Sequence, residues 1–179
     1  MQANTDAIQA DHVEHPPSST NQDVAGTYVT FDLAGQSLGV EVCHVREILD
    51  TVEISRLPNA SAEIEGVIDI RGESVPIVDM GSRLGLPRQA EGEDTRIIVF
   101  ELMFRGKVRA VGVLADRVRD VTQILAEEIE EPPEVVGASW KSDLLRGFAR
   151  HADLLILLLN IERIFETGAE SVALDPMYL

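Results

Sequence analysis

The sequence offers few groups of residues that could perform chemistry, and the first of them is an adjacent cysteine and histidine. Cys43 is the single cysteine of the chain and directly precedes His44, so the pair has the residue types of a nucleophile and a base. On a strand, however, neighbouring side chains point to opposite faces and cannot hydrogen-bond to each other. We therefore expect Cys43 to be a small core residue and not a nucleophile.

A second group has the residue types of a hydrolase triad. Ser139, His151 and Asp153 could in principle supply the serine, the base and the orienting acid. Nothing in their spacing determines a common geometry, and the sequence has no G-x-S-x-G elbow and no glycine-rich phosphate-binding segment. The sequence thus predicts no catalytic residues, and we expect the protein not to be an enzyme.

Two further groups have the residue types of metal ligands. His12 and His15 could lie on one face of a helix, but a zinc site needs three or four fixed ligands. The acidic run at 127–131 (EEIEE) lacks the alternating Asp or Asn and the glycine of a calcium loop, which favours a solvated loop. We expect no metal and no cofactor.

Charge and hydropathy exclude several classes of protein. The 179 residues carry a formal net charge of −16, which argues against binding to nucleic acid, because neutralising phosphates requires a basic face. The longest apolar run, LLILLL at 154–159, is far shorter than the roughly 18 residues that span a bilayer. With one cysteine and no signal-peptide pattern at the N-terminus, the sequence predicts a cytoplasmic protein without membrane insertion.

The chain has an uneven organisation along its length. Residues 1–26 are polar and lack periodicity, which predicts a disordered acidic tail. From Tyr28 onward, alternating segments separated by glycine-containing turns predict β-hairpins, YVTFDL with SLGVEV and GVIDI with SVPIVDM. Pro76 removes a backbone donor and is expected at an edge or a bulge, and VREILD is a short helix or a strand end.

The second half of the folded region repeats the first. Aligning Gly39 with Gly112 places VREI on VRDV, and aligning Gly66 with Gly147 places VPIVDM on ILLLNI, both without gaps. Two copies of a unit of about 70 residues predict pseudo-symmetric halves. Each copy supplies four or five short strands, which predicts two small antiparallel barrels, with a long loop at 123–142 interrupting the second copy.

Taken together, VTFDLAGQSLGVEV, VREI, GVIDIRGESVPIVDM, TRIIVF, VGVLADRVRDV and LLILLLNIERI resemble the CheW family of bacterial coupling proteins. The resemblance covers about residues 27–167. It implies a mainly β fold of two SH3-like five-stranded antiparallel barrels with one or two short helices. The barrels would comprise about 27–92 and 93–167, with strands exchanged between them, and 168–179 would form a tail or short helix.

The resemblance also implies a function. Members of the family are non-enzymatic adaptors without a cofactor that link the cytoplasmic tips of chemoreceptors (methyl-accepting chemotaxis proteins) to the regulatory domain of the histidine kinase CheA. Other copies of the adaptor are further partners. Two alternatives remain open at this point: an adaptor of the same fold in a related pathway such as type IV pilus motility, and an enzyme built on two small barrels.

Matching the family motifs assigns site residues to this chain. A groove that takes a receptor helix would include Val45, Glu47, Ile48, Arg71, Ile97 and Val99. Plain core packing is the alternative for the apolar members of this set, because half of the residues of a barrel strand face inward. A kinase contact would involve Glu134 and Val135, and the family glycines Gly66 and Gly72 would be structural turn residues.

Overall fold

The architecture is that of a mainly β protein, given by a computed structural model that describes residues 24–88, 90–131 and 142–166. The strands in these ranges are β1 Val24–Leu33, β2 Gln36–Glu41, β3 Val45–Asp50, β4 Ile64–Ile70, β5 Glu73–Val78, β6 Arg96–Phe104, β7 Lys107–Ala115, β8 Arg117–Leu125, β9 Ile129–Glu130, β10 Leu145–His151 and β11 Leu154–Leu159. The helices are α1 Met80–Arg83 and α2 Ile161–Glu166, with short 3₁₀ turns at Val42–His44, Ala126–Glu128 and Ser142–Leu144.

The strands form two sheets that exchange hairpins between the two halves of the chain. The first sheet has the order β8-β1-β2-β11-β10-β9, and the second has the order β3-β6-β7-β5-β4. Each sheet therefore combines the first hairpin of one repeat with the second hairpin of the other. The predicted fold class of two small barrels with short helices is confirmed, and a boundary at residues 92 and 93 divides the repeats but not the sheets.

The two hairpins of each sheet meet where a glycine allows a close approach. Gly39 on β2 is paired in parallel with Leu158 on β11, and Gly112 on β7 is paired in parallel with Ile77 on β5. A Cβ atom on Gly112 would lie 2.5 Å from Cδ1 of Ile77, and one on Gly39 would lie 3.0 Å from Cδ2 of Leu158. The sequence alignment of Gly39 with Gly112 thus corresponds to equivalent positions in the two sheets.

The second aligned pair of glycines lies at equivalent β-bulges. The β4–β5 register shifts between Ile64 and Gly66, and the β10–β11 register shifts between Leu145 and Gly147. A Cβ atom on Gly66 would lie 2.3 Å from the carbonyl oxygen of Ser55. Gly66 was expected in a turn, but it lies within a strand, where it permits a neighbouring backbone segment to approach closely.

Three hydrophobic clusters correspond to this two-sheet arrangement. One contains residues of the first sheet only, and a second contains residues of the second sheet only, including Val75 and Ile77. The third and largest lies between the sheets and combines Phe31 of β1 with Phe100 of β6 and Ile164 of α2. The molecule therefore has two barrel interiors and one shared core.

The turn between β4 and β5 places a charged residue, Arg71, at the tip of the hairpin. The β4–β5 connection consists of Arg71 and Gly72, whose φ angles are 53° and 86°. Positive φ at both central residues defines the type I′ turn, whose twist matches that of two antiparallel strands. Gly72 adopts this conformation without strain, so the predicted turn is present, and the arginine occupies the less favourable position beside it.

Several boundaries differ from the sequence-based expectations. Strand β1 begins at Val24, so the folded region starts before residue 27. The expected loop at 123–142 is ordered in its first part, because β8 extends to Leu125 and is followed by a 3₁₀ turn and β9. Residues 1–23 of the expected tail, 132–141 of the loop and 167–179 at the C-terminus lie outside the described residues.

The position of Pro76 was predicted wrongly. Strand β5 lies between β7 and β4, so Pro76 is neither on an edge strand nor at the bulge. It lies opposite Val67, whose backbone N–H and C=O both bond to Ser55 on the other side at 2.9 Å. The β4–β5 ladder therefore needs no donor at this position, which explains how the sheet accepts a proline there.

Replacing the two family glycines by alanine should separate steric from conformational effects. Gly72→Ala has open space around the new methyl group and should cost only about 1–2 kcal/mol, the penalty of a left-handed residue. Gly66→Ala should cost clearly more, because the methyl group meets the Ser55 carbonyl at a φ of 153°. Urea unfolding of both variants tests this order; equal losses would contradict it.

Candidate protein-interaction surface

Strand β3 and the tip of the β4–β5 hairpin are joined by two crossed ion pairs. Nη1 of Arg46 lies 2.7 Å from Oε2 of Glu73, and Nη2 of Arg71 lies 3.1 Å from Oε2 of Glu47. Each segment therefore supplies one cation and one anion to the other. This arrangement holds the tip against β3, and we refer to the surface formed by β3 and residues 71–73 as the β3–tip surface.

The four charged groups differ strongly in exposure. The side chain of Arg71 is 77% exposed, whereas those of Arg46 and Glu47 are 25% and 17% exposed. The hydrogen bond that Arg46 donates to the carboxylate of Glu73 raises the pKa of Arg46 above its ordinary value. Arg46 is thus the inner link between the segments. Arg71 remains available to a partner, because an exposed pair contributes only about 0–1 kcal/mol.

Strand β3 presents apolar surface beside these charges. It is an edge strand that pairs with β6 alone. The side chain of Ile48 is 38% exposed, whereas Val45 is half-buried and packs against the shared core. A free strand edge with an exposed isoleucine flanked by charged groups has the mixed character of a protein-docking surface.

Two residues that the resemblance placed in the receptor groove lie in the interior instead. Ile97 and Val99 on β6 have no exposed surface and belong to the cluster within the second sheet. They face β3 through the backbone ladder, where Leu49 is paired with Ile97 and Glu47 with Val99. Side chains buried this deeply do not contact a partner directly. Ile97 and Val99 instead hold β3 in place from within the core.

Two members of this surface were not predicted from the sequence. Neither Arg46 nor Glu73 was singled out as a site residue. Both lie at the crossed ion pairs, at positions 27 residues apart in the chain. The sequence does contain a signal for this contact. VREI and IRGE each place a basic residue near an acidic one, so the two segments could form ion pairs with each other. The expected kinase contacts Glu134 and Val135 lie outside the described residues.

His151, a member of the candidate catalytic set, makes two side-chain contacts within the first sheet and the turn beside it. His151 lies 3.1 Å from the Thr122 hydroxyl and 3.3 Å from Oε1 of Glu128. Two hydrogen bonds lower the pKa of Glu128. The larger effect comes from the backbone N–H of Leu125 and the smaller from the side chain of His151. These contacts tie the β10–β11 tip to β8 and to the following turn, and Ser139 lies outside the described residues.

The expectation for Cys43 was wrong. Its thiol is exposed, because residues 42–44 form a 3₁₀ turn between β2 and β3 and not the end of a strand. The alternation of side chains along a strand therefore does not apply at this position. No helix among the described residues combines the length and apolar character needed to cross a membrane.

Two exchanged barrels, a free edge strand and a charged tip define a binding protein of the scaffold class. The chain matches the family model of the CheW-like domain over residues 27–169, and it belongs to this family. It is 29% identical over 153 residues to the chemotaxis protein CheW of Klebsiella aerogenes, covering 86% of this chain and 88% of that one. It is 32% identical over 148 residues to the probable chemotaxis protein CheW of Rhizobium etli, covering 80% and 90%.

A solved structure agrees with these sequence relatives. The chain resembles the crystal structure of the scaffolding protein CheW from Thermoanaerobacter tengcongensis with a TM-score of 0.70 and 27% identity. The match covers 92% of this chain and 98% of that one. The chain is thus a chemotaxis coupling adaptor and not an enzyme. The chemotaxis names of these relatives do not favour the alternative of a type IV pilus adaptor.

Reversing the charge of Arg71 should leave the fold intact. Because its side chain is largely exposed, Arg71→Glu should change the free energy of unfolding by no more than about 1 kcal/mol. Arg46→Glu serves as the contrast, since this less exposed side chain contacts both Glu47 and Glu73, and it should destabilise more. Urea unfolding at low salt measures both, and a larger loss for Arg71→Glu would make Arg71 a structural residue.

Proposed function

We propose that the β3–tip surface binds the helical cytoplasmic tip of a chemoreceptor and that the chain couples this receptor to a CheA-type histidine kinase. The observation that carries the proposal is the pair of crossed ion pairs, which holds the exposed Arg71 against β3, the edge strand that also carries the exposed Ile48. An amphipathic helix needs an apolar anchor together with polar groups that determine its register. Ile48 is the anchor, and Arg71 and Glu47 are the polar groups.

The interior residues have a different part in this function. Val45, Ile97 and Val99 hold β3 in place from the core and contribute to binding through the position of Ile48. The kinase regulatory domain is a second partner, contacted through the segment that contains Glu134 and Val135. Further copies of the adaptor are a third partner. The site of action is the cytoplasm, at the receptor array.

Coupling requires the two partners to occupy separate surfaces of one rigid body. A receptor state that changes its contacts with the β3–tip surface shifts the arrangement of the kinase through the shared core. The receptor interface is small, since it consists of one edge strand and one turn, so each contact is weak by itself. Many such contacts acting together in an array supply the required affinity.

A binding experiment with matched variants tests the receptor site. Ile48→Glu and Arg71→Glu should each weaken binding to a soluble cytoplasmic fragment of a chemoreceptor by at least about tenfold, or 1.4 kcal/mol. The control is Val121→Glu, because Val121 on β8 is the repeat equivalent of Ile48 and is 52% exposed on the other sheet. It should leave receptor binding unchanged. Calorimetry or surface plasmon resonance gives the dissociation constants.

The same variants distinguish the receptor site from a general loss of folding. Ile48→Glu and Arg71→Glu should retain wild-type binding to a CheA fragment that contains its regulatory domain. Equal weakening of receptor binding by Val121→Glu and Ile48→Glu would place the receptor elsewhere. Loss of binding to both partners would mean that the β3–tip surface holds the fold rather than a receptor.

A further inference from the structure

The 3₁₀ turn between β2 and β3 gathers three side chains whose atoms are metal ligands. Glu41, Cys43 and His44 each direct one ligand atom to the same place, and these three atoms lie within 4.8 Å of one another. Within the part of the chain that the structure describes, this is the one such group that includes a thiol or an imidazole. We propose that Glu41, Cys43 and His44 form a binding site for a zinc ion.

Two of the three distances between ligand atoms are close to those of a zinc site, and the third is at most 4.8 Å. Oε2 of Glu41 lies 3.7 Å from Nε2 of His44 and 4.0 Å from Sγ of Cys43. Zinc bonds of about 2.0–2.3 Å in a tetrahedral arrangement place pairs of ligand atoms about 3.4–3.6 Å apart. Small side-chain rotations therefore suffice, and they are available because Cys43 is exposed and the other two side chains are about one quarter exposed.

A neighbouring arginine holds the carboxylate in the required orientation. Arg146 on β10 pairs with Oε1 of Glu41 and lies near Tyr28, a residue that is 3% exposed. The Oε1 atom is thereby occupied, and Oε2 is the atom that faces the thiol and the imidazole. Outer partners of this kind, which orient a carboxylate ligand by hydrogen bonding, are a regular part of metal sites.

The fold itself does not require these residue types. In the repeat alignment, Glu41, Cys43 and His44 correspond to Leu114, Asp116 and Arg117 at the β7–β8 junction. The corresponding strands β7 and β8 are therefore joined without a thiol or an imidazole, and without a 3₁₀ turn. The repeat therefore gives no reason for a cysteine and a histidine at the β2–β3 junction, and metal binding provides one.

The ligand set selects the metal. A thiolate and an imidazole favour zinc over the hard cations Mg²⁺ and Ca²⁺, which prefer oxygen ligands. Three protein ligands leave the fourth position to water, so the site is open. Bound zinc would join the end of β2 to the start of β3, next to the β3–tip surface. The site is independent of the receptor proposal, since neither requires the other.

Zinc titration of the reduced full-length chain tests the site. Isothermal calorimetry with zinc chloride should show one ion bound per chain, and a hundredfold excess of Mg²⁺ should not displace it. Cys43→Ser and His44→Gln should each weaken binding by more than about 100-fold, beyond the effect of losing an outer-shell partner. Cobalt should give a thiolate-to-metal charge-transfer absorption in the wild type that Cys43→Ser lacks.

The N-terminal histidines provide the control. The double variant with His12→Asn and His15→Asn should bind zinc as the wild type does, because these residues are not ligands of this site. Loss of zinc binding in that variant, or unchanged binding in Cys43→Ser, would overturn the proposal. Absence of zinc binding by the wild-type chain, or a cobalt spectrum without the thiolate band, would also overturn it.

Discussion

The shared hydrophobic core between the two sheets is the constraint on which the rest of the molecule depends. Phe31 and Val40 of the first sheet meet Phe100 and Val111 of the second in one buried cluster, with Ile164 of α2 beside them. Each sheet also contains hairpins of both repeats. The repeats therefore cannot separate without breaking both sheets, so the described strands form one interlocked unit.

A single buried arginine links the polar periphery to this core. Arg83 at the end of α1 is only 6% exposed in its side chain, pairs with Glu63 at 3.0 Å and donates to the carbonyl oxygen of Ile164 at 2.9 Å. Its guanidinium also lies over the ring of Phe165, 5.3 Å from the centroid. A buried guanidinium needs such partners, and these contacts join α1 to α2 beside the shared core.

The same architecture explains why Ile97 and Val99 were expected at the surface but lie in the core. A strand pattern shows that alternate residues share a face, but β6 is buried on both faces. Ile97 and Val99 fill the interior of the second sheet, whereas Ile98 and Phe100 fill the shared core. The sequence alone could not show which residues of β6 face inward and which face a partner. Both faces of this strand are apolar, because one lies inside its own barrel and the other packs against the second barrel.

The sequence by itself determined the repeat, the hairpins and the glycines at which strands approach closely, since these depend on local periodicity and on the absence of a side chain. It also determined the family through motifs of adjacent residues. Only the three-dimensional structure decided that Arg46 meets Glu73 and that the side chains of Glu41, Cys43 and His44 turn toward one another. Such contacts depend on how exchanged hairpins and a 3₁₀ turn place side chains in space, and neighbouring letters in a sequence carry no record of that placement.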